Sequence, residues 1–125
     1  MKLVVTGSRD ADEAEAAQLL SNYIFGGEHL LIDVLVGCCP RGVDKAVRDV
    51  MAEPRVFLAD WDANGKAAGP IRNREMIKAA GHDAVLLAMP SRGSTNRGTM
   101  DCIKQALAAG IDVDVRWVNR AGGNK

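Results

Sequence analysis

Residues 83–89 read DAVLLAM, and the unbroken apolar run from Val85 to Met89 decides the fold. A strand with one wet face alternates apolar and polar side chains, whereas a continuous run implies burial on both faces. Burial on both faces belongs to a parallel sheet with a helical layer on each side. Gly81 before the run and Pro90 after it mark its limits.

Reading outward from this strand, helix and strand alternate in both directions. Upstream, Pro70 stands where a first helical residue would, and residues 71–80 read as a helix stopped by Gly81. Downstream, residues 90–97 form a polar loop and residues 98–109 a helix with Ile103, Ala106 and Leu107 inward. Gly110 ends it, and residues 112–118 (DVDVRWV) alternate as a further strand. Nearer the start, residues 2–6 (KLVVT), 32–36 and 55–58 (RVFL) are short β-rich runs ended by Gly or polar residues. Between them, residues 11–24 carry Ala14, Ala17, Leu20 and Ile24 near helical spacing, until Gly26 and Gly27. Val43, Ala46, Val47, Val50 and Met51 make a helical stripe that Pro54 breaks. Residues 59–69 have no strand or helix period and read as a long loop, the kind that carries function in a small domain.

The pattern predicts one Rossmann-like α/β domain over residues 1–119: three layers around a mainly parallel sheet of five strands. Residues 120–125 (RAGGNK) read as a frayed tail. The chain of 125 residues is long enough for one sizeable core. Sixteen basic residues balance sixteen acidic ones, which argues against a general electrostatic grip on nucleic acid or membrane. The start, MKLVVTGSRD, lacks the apolar stretch of a signal peptide, and nothing approaches membrane length, so a cytoplasmic protein is expected. Cys38, Cys39 and Cys102 form no disulfide framework, and His29 and His82 lack ligand spacing. Asp60 and Asp62 are the only suggestion of a Mg²⁺ site.

In such sheets ligands sit at the carboxyl ends of the strands. The loops predicted there are residues 7–10, 37–44, 59–75 and 90–99, all rich in Gly, Ser, Thr, Asn or Arg. Gly7, Ser8 and Arg9 offer close backbone approach and anion-binding N–H groups, although G-x-G-x-x-G is absent. Ser94, Arg97, Gly98 and Thr99 combine hydroxyls, a guanidinium and a helix start, a set suited to phosphate, without a Walker pattern. Arg41, Gly42 and Asp44 open the second helix. Arg72 and Asn73 open the third, where Arg72 and Arg74 must point to different sides. Asp10, Asp44, Asp60, Asp62, Glu75 and Asp101 are the candidate carboxylates, and there is no Ser-His-Asp elbow.

Four stretches together resemble the YspA-like, cpYpsA-related branch of the SLOG superfamily. They are VTGSRD (5–10), VGCCPRGVDKAV (36–47), ADWDANGKAAGPIRNREM (59–76) and STNRGTMDCIKQA (94–106). The resemblance implies a Rossmann-like fold that binds nucleotides or nucleotide-derived ligands, as a homodimer or higher homo-oligomer. It also relates the chain to lysine decarboxylase-like phosphoribohydrolases, which carry P-G-G-x-G-T-x-x-E, and to DNA-processing proteins. Here Pro90 and Gly98-Thr99 match that motif, Ser91-Arg92 replaces the double Gly, and the acid is Asp101, one position early. Glu75 is the alternative carboxylate. The expectation is therefore a nucleotide-binding or sensing domain. A nucleotide N-glycosidase acting through Asp101 or Glu75 is the alternative, and nucleic-acid binding ranks last.

Overall fold

Five strands lie side by side in the computed structural model, which describes residues 1–26 and 33–122. They are β1 (Lys2–Gly7), β2 (Asp33–Gly37), β3 (Arg55–Phe57), β4 (Ala84–Met89) and β5 (Asp112–Val115), in the order β3-β2-β1-β4-β5. All four pairings are parallel. The central strands β1 and β4 run in register from Lys2 opposite Ala84 to Gly7 opposite Met89. The fold expected from the sequence is therefore observed: a single α/β domain of Rossmann-like architecture.

The strand pleat divides the core in two. Leu3, Val5, Leu87 and Met89 point to one face, where α1 (Glu13–Phe25) and α2 (Val43–Val50) cover them with Leu20, Val43 and Val47. Val4, Leu86 and Ala88 point to the other, under α4 (Ala68–Ala80) and α5 (Arg97–Ala108) with Met76, Cys102 and Ala106. The run VLLAM is apolar throughout because both of its faces are roofed. Burial lifts the Cys102 thiol to about 12, so it is a neutral core group.

Several expectations need correction, among them Leu107, which is exposed rather than inward. Residues 59–69 are not an irregular loop. Trp61–Asn64 form a short helix, α3, and Gly65–Ala67 a 3-10 turn that leads straight into α4. Asp60 starts this run, its carboxylate accepting the Ala63 N–H at 3.0 Å. Pro70 is the third residue of α4 rather than its first; any first-turn position tolerates it, because those N–H groups have no helical acceptor. The last strand stops at Val115 rather than Val118. Arg116 N–H and Val118 N–H still donate to Ala88 and Pro90, which continues the pairing in broken form.

The backbone stays tied beyond residue 119. Arg120 bridges to Ala11, and the Ala121 N–H donates to Asp10 O at 2.7 Å. The strand start expected at Ile32, the Gly27–Glu28 turn, His29 and residues 123–125 of the tail lie outside the described residues.

The chain winds one way from β1 through β2 to β3, then crosses to the other side for β4 and β5. This reversal leaves a crevice between the carboxyl ends of β1 and β4, the position where open α/β sheets bind ligands.

Candidate functional site

One bank of the crevice is the turn after β1. Gly7 is there for packing. A β-carbon on it would lie 2.7 Å from Met89 O and inside the Val43 side chain. Ser8 follows, with its hydroxyl accepting the Asp10 N–H at 2.9 Å and its carbonyl accepting the Val43 N–H at 3.1 Å. Gly42 starts α2 at φ 76°, where a side chain would be strained and would strike the Arg9 backbone. The Gly42 N–H donates to Glu13 at 2.9 Å, so α1, α2 and the β1 turn are locked together.

The opposite bank is the segment between β4 and α5. Ser91 is fully buried and hydrogen-bonds the Ser8 hydroxyl at 2.7 Å and the Ser94 hydroxyl at 2.9 Å. Ser94 in turn donates to Asp10 at 3.3 Å. Asn96 is the one described non-glycine residue with positive φ, at 56°. Its side chain accepts the Ser91 N–H at 3.0 Å and donates to the Ser91 and Ser94 carbonyls at 2.9 and 3.1 Å. Asn96 is also the residue before α5, yet it makes no capping bond to that helix. The first-turn N–H groups of Arg97, Gly98 and Thr99 are thus left uncapped, with the positive end of the helix at the crevice. A β-carbon on Gly98 would meet nothing within 4 Å, so this turn is open.

The third wall comes from α4. Arg72 reaches in over Gly37: a β-carbon there would lie 2.5 Å from Arg72 Nη1 and 2.6 Å from Asp44 Oδ2. Asn73 holds Arg72 in place. It is 1 % exposed, accepts Arg72 Nε–H at 3.0 Å, and donates to Gly98 O at 3.2 Å and Asp101 Oδ2 at 3.0 Å. Gln105 donates to the same Asp101 oxygen at 2.8 Å. Asp44 is buried, and its carboxylate accepts the Cys39 N–H at 3.1 Å. Burial raises its pKa, opposed by that hydrogen bond and by the nearby Arg72 and Arg48.

Together these walls enclose a polar lobe of about 370 Å³ lined by Gly7, Ser8, Arg9, Asp44, Arg72, Ser94, Arg97, Gly98 and Thr99. A second lobe of about 540 Å³ joins it, walled by Trp61, Lys66, Pro40, Pro70 and Asp101. Arg9, Cys39, Arg72, Arg97 and Gly98 belong to both lobes, so the two form one cleft.

Nine of the predicted site residues therefore meet in the polar lobe and Asp101 in the adjoining one. Asn73 is behind the wall, as a positioning residue. Gly42 is buried under the β1 turn, and Arg41 is exposed in an ion pair with Asp10 at 3.3 Å. Glu75 is exposed and lines neither lobe. Arg72 and Arg74 do diverge, Arg74 facing a separate groove between α4 and α5. Asp60 serves as the α3 cap, and among the described residues no three His, Cys, Asp or Glu side chains group as a metal site. No described helix is long and apolar enough to cross a membrane. Ser91 and Asn96 were missed as organisers of the site. An Asn directly before a helix is a sequence signal, but it points to capping rather than to the bonds Asn96 makes.

No family model and no solved structure matches the chain. Over 60 residues it is 47 % identical to the "Gene 61 protein" of Mycobacterium phage D29. That match covers 48 % of this chain and 45 % of the relative, so less than half of either is aligned.

Proposed function

We propose that the cleft binds a nucleotide or a nucleotide-derived ligand, with a phosphate at the start of α5. The observation that carries this reading is the uncapped first turn of α5. The side chain that should cap it is spent on the Ser91–Ser94 turn, and the open amides face a cleft ringed by Arg9, Arg72 and Arg97. Backbone N–H groups, a helix dipole and guanidinium groups are the donors that hold phosphate oxygens. Trp61 beside the second lobe offers a flat face for a base.

A second reading, nucleotide N-glycosidase, is favoured by Asp44 in the polar lobe and Asp101 in its neighbour, either of which can face a developing positive charge at a sugar carbon. Thermal unfolding with nucleoside mono- and diphosphates tests the first reading, since ligand at a hundred times its Kd stabilises by about 2.7 kcal/mol. Chromatography of the same mixtures tests the second. Stabilisation without free base supports a binding or sensing domain; base release that Asp101→Asn abolishes supports the enzyme. Absence of stabilisation with every nucleotide refutes the binding reading. A cytoplasmic setting and a homo-oligomeric state belong to the same proposal, and sedimentation of the purified chain tests the latter.

A further inference from the structure

The distribution of charge along the cleft says more than that an anion binds. Its cations are not spread evenly. Three of the four, Arg9, Arg72 and Arg97, stand where the two lobes meet, together with the open Gly98 turn of α5, and Lys66 lies in the second lobe. Beyond this junction the polar lobe changes sign. It is lined by the Asp10 and Asp44 carboxylates and by the hydroxyls of Thr6, Ser8, Ser94 and Thr99. A carboxylate repels a phosphate oxygen but accepts a hydrogen bond from a hydroxyl. On the other side of the junction lie Trp61, Pro40 and Pro70, an aromatic and two apolar ring surfaces, with one cation, Lys66, and one carboxylate, Asp101, beside them. Each lobe alone has the volume of a small-ligand pocket, roughly 300 to 1,000 Å³.

We infer that the ligand is a nucleoside diphosphate carrying a polyol, such as a sugar, on its second phosphate. The diphosphate sits at the arginine junction, the base against Trp61, and the polyol on Asp10 and Asp44. A mononucleotide leaves either the carboxylate end or the aromatic end empty. A triphosphate drives its γ-phosphate against Asp10 and Asp44. The inference rests on the nucleotide reading above and narrows it to one class.

Phe in place of Trp117, which lines neither lobe, leaves Trp61 as the sole tryptophan of the chain. The W117F protein is titrated with pyrophosphate, AMP, ADP, ATP, ADP-ribose and UDP-glucose, by calorimetry and by Trp61 fluorescence. Pyrophosphate is expected to bind without altering the Trp61 signal. ADP or a base-matched sugar nucleotide binds and changes it. At least one of ADP-ribose and UDP-glucose is expected to bind tenfold or more tightly than ADP, and ATP more weakly than ADP. Asp44→Asn and Asp10→Asn should each reduce the ratio of sugar-nucleotide to ADP affinity. Sugar nucleotides that bind no better than ADP overturn this inference and leave the nucleotide reading standing. Tight binding with a silent Trp61 overturns the placement of the base. Failure of every probe, pyrophosphate included, overturns both.

Discussion

Asn73→Asp replaces a buried amide with a carboxylate of nearly the same shape, at the point where α4 meets α5. In the native chain Asn73 Nδ2 donates to Asp101 Oδ2 across 3.0 Å. In the variant that contact sets one carboxylate oxygen against another. Two unit charges 3.0 Å apart repel by about 1.4 kcal/mol in water and by about 5.5 kcal/mol at an effective dielectric of about 20. The upper figure is never reached at pH 7, because the pair can take up one proton instead. Holding a carboxyl protonated from about pH 3.9 to pH 7 costs about 4.2 kcal/mol, at about 1.4 kcal/mol per pH unit. The Arg72 guanidinium, whose Nε–H lies 3.0 Å from the other oxygen, offsets part of this, so the expected loss of stability at pH 7 is about 1–3 kcal/mol.

The pH dependence identifies the cause. The folded variant binds a proton that the unfolded chain lacks, so its deficit shrinks as the pH falls, by at most about 1.4 kcal/mol per unit, until both states are protonated near pH 4. Asn73→Ala removes the same hydrogen bonds, at about 1 kcal/mol each, without adding a charge, and lacks this recovery. Urea unfolding of both variants and the parent at pH 4, 5, 6 and 7 decides the matter. An N73D protein as stable as the parent at pH 7, or a deficit unchanged at pH 5, refutes the contact between residues 73 and 101.

Gly7→Ala should destabilise by about 1–3 kcal/mol or more in urea titration, since its methyl meets backbone at Met89 O, which cannot move aside. Gly98→Ala meets nothing within 4 Å and sits in a helix, so it should raise stability by up to about 1 kcal/mol while weakening pyrophosphate binding in calorimetry. Asp44, whose pKa burial raises above its ordinary 3.8, favours the folded state while protonated, and that contribution is lost as pH rises through its folded value. Asp44→Asn keeps an acceptor for the Cys39 N–H, so it should flatten the fall in stability above pH 4 and unfold later than the parent at pH 7. Asn96→Ala loses three side-chain bonds and keeps a positive φ, so a deficit of about 2–4 kcal/mol is expected, with hydrogen exchange fastest at residues 91–96.

The architecture was legible because its signal is repeated. Every buried strand of a parallel sheet must be apolar on both faces, and every connecting helix needs a stripe, so DAVLLAM and the Val43–Met51 stripe agree on one answer. Ends were less legible where tertiary partners set them. Nothing local stops DVDVRWV at Val115; the strand breaks while Val118 still pairs beside Pro90 and Ser91. The segment at 59–69 misled for a related reason. Its glycines, Gly65 and Gly69, and the Pro70 that follows are poor helix formers, but Asp60 caps it and Ala68, 1 % exposed, anchors the junction with α4. Propensity was overruled by a cap and a buried contact.

The site shows the same division between what residue types reveal and what only geometry reveals. Polar, glycine-containing loops at the strand ends gave the location, because the fold dictates it. They did not say which polar groups remain free. Ser8, Ser91, Ser94 and Asn96 look alike as donors in a sequence, yet in the structure they satisfy one another and build the floor of the cleft. Asn73 likewise spends its whole amide on Arg72, Gly98 and Asp101. What is left over to act outward is the α5 amides, the three arginines at the lobe junction and the Asp10 and Asp44 carboxylates beyond it. A buried polar group with all its partners inside the protein is scaffold, because detaching it to meet a ligand costs about what the ligand returns. By that criterion phosphate recognition falls to Arg9, Arg72, Arg97 and the first turn of α5. The serines keep those groups in place, and replacing a serine should act first on stability and only through it on binding.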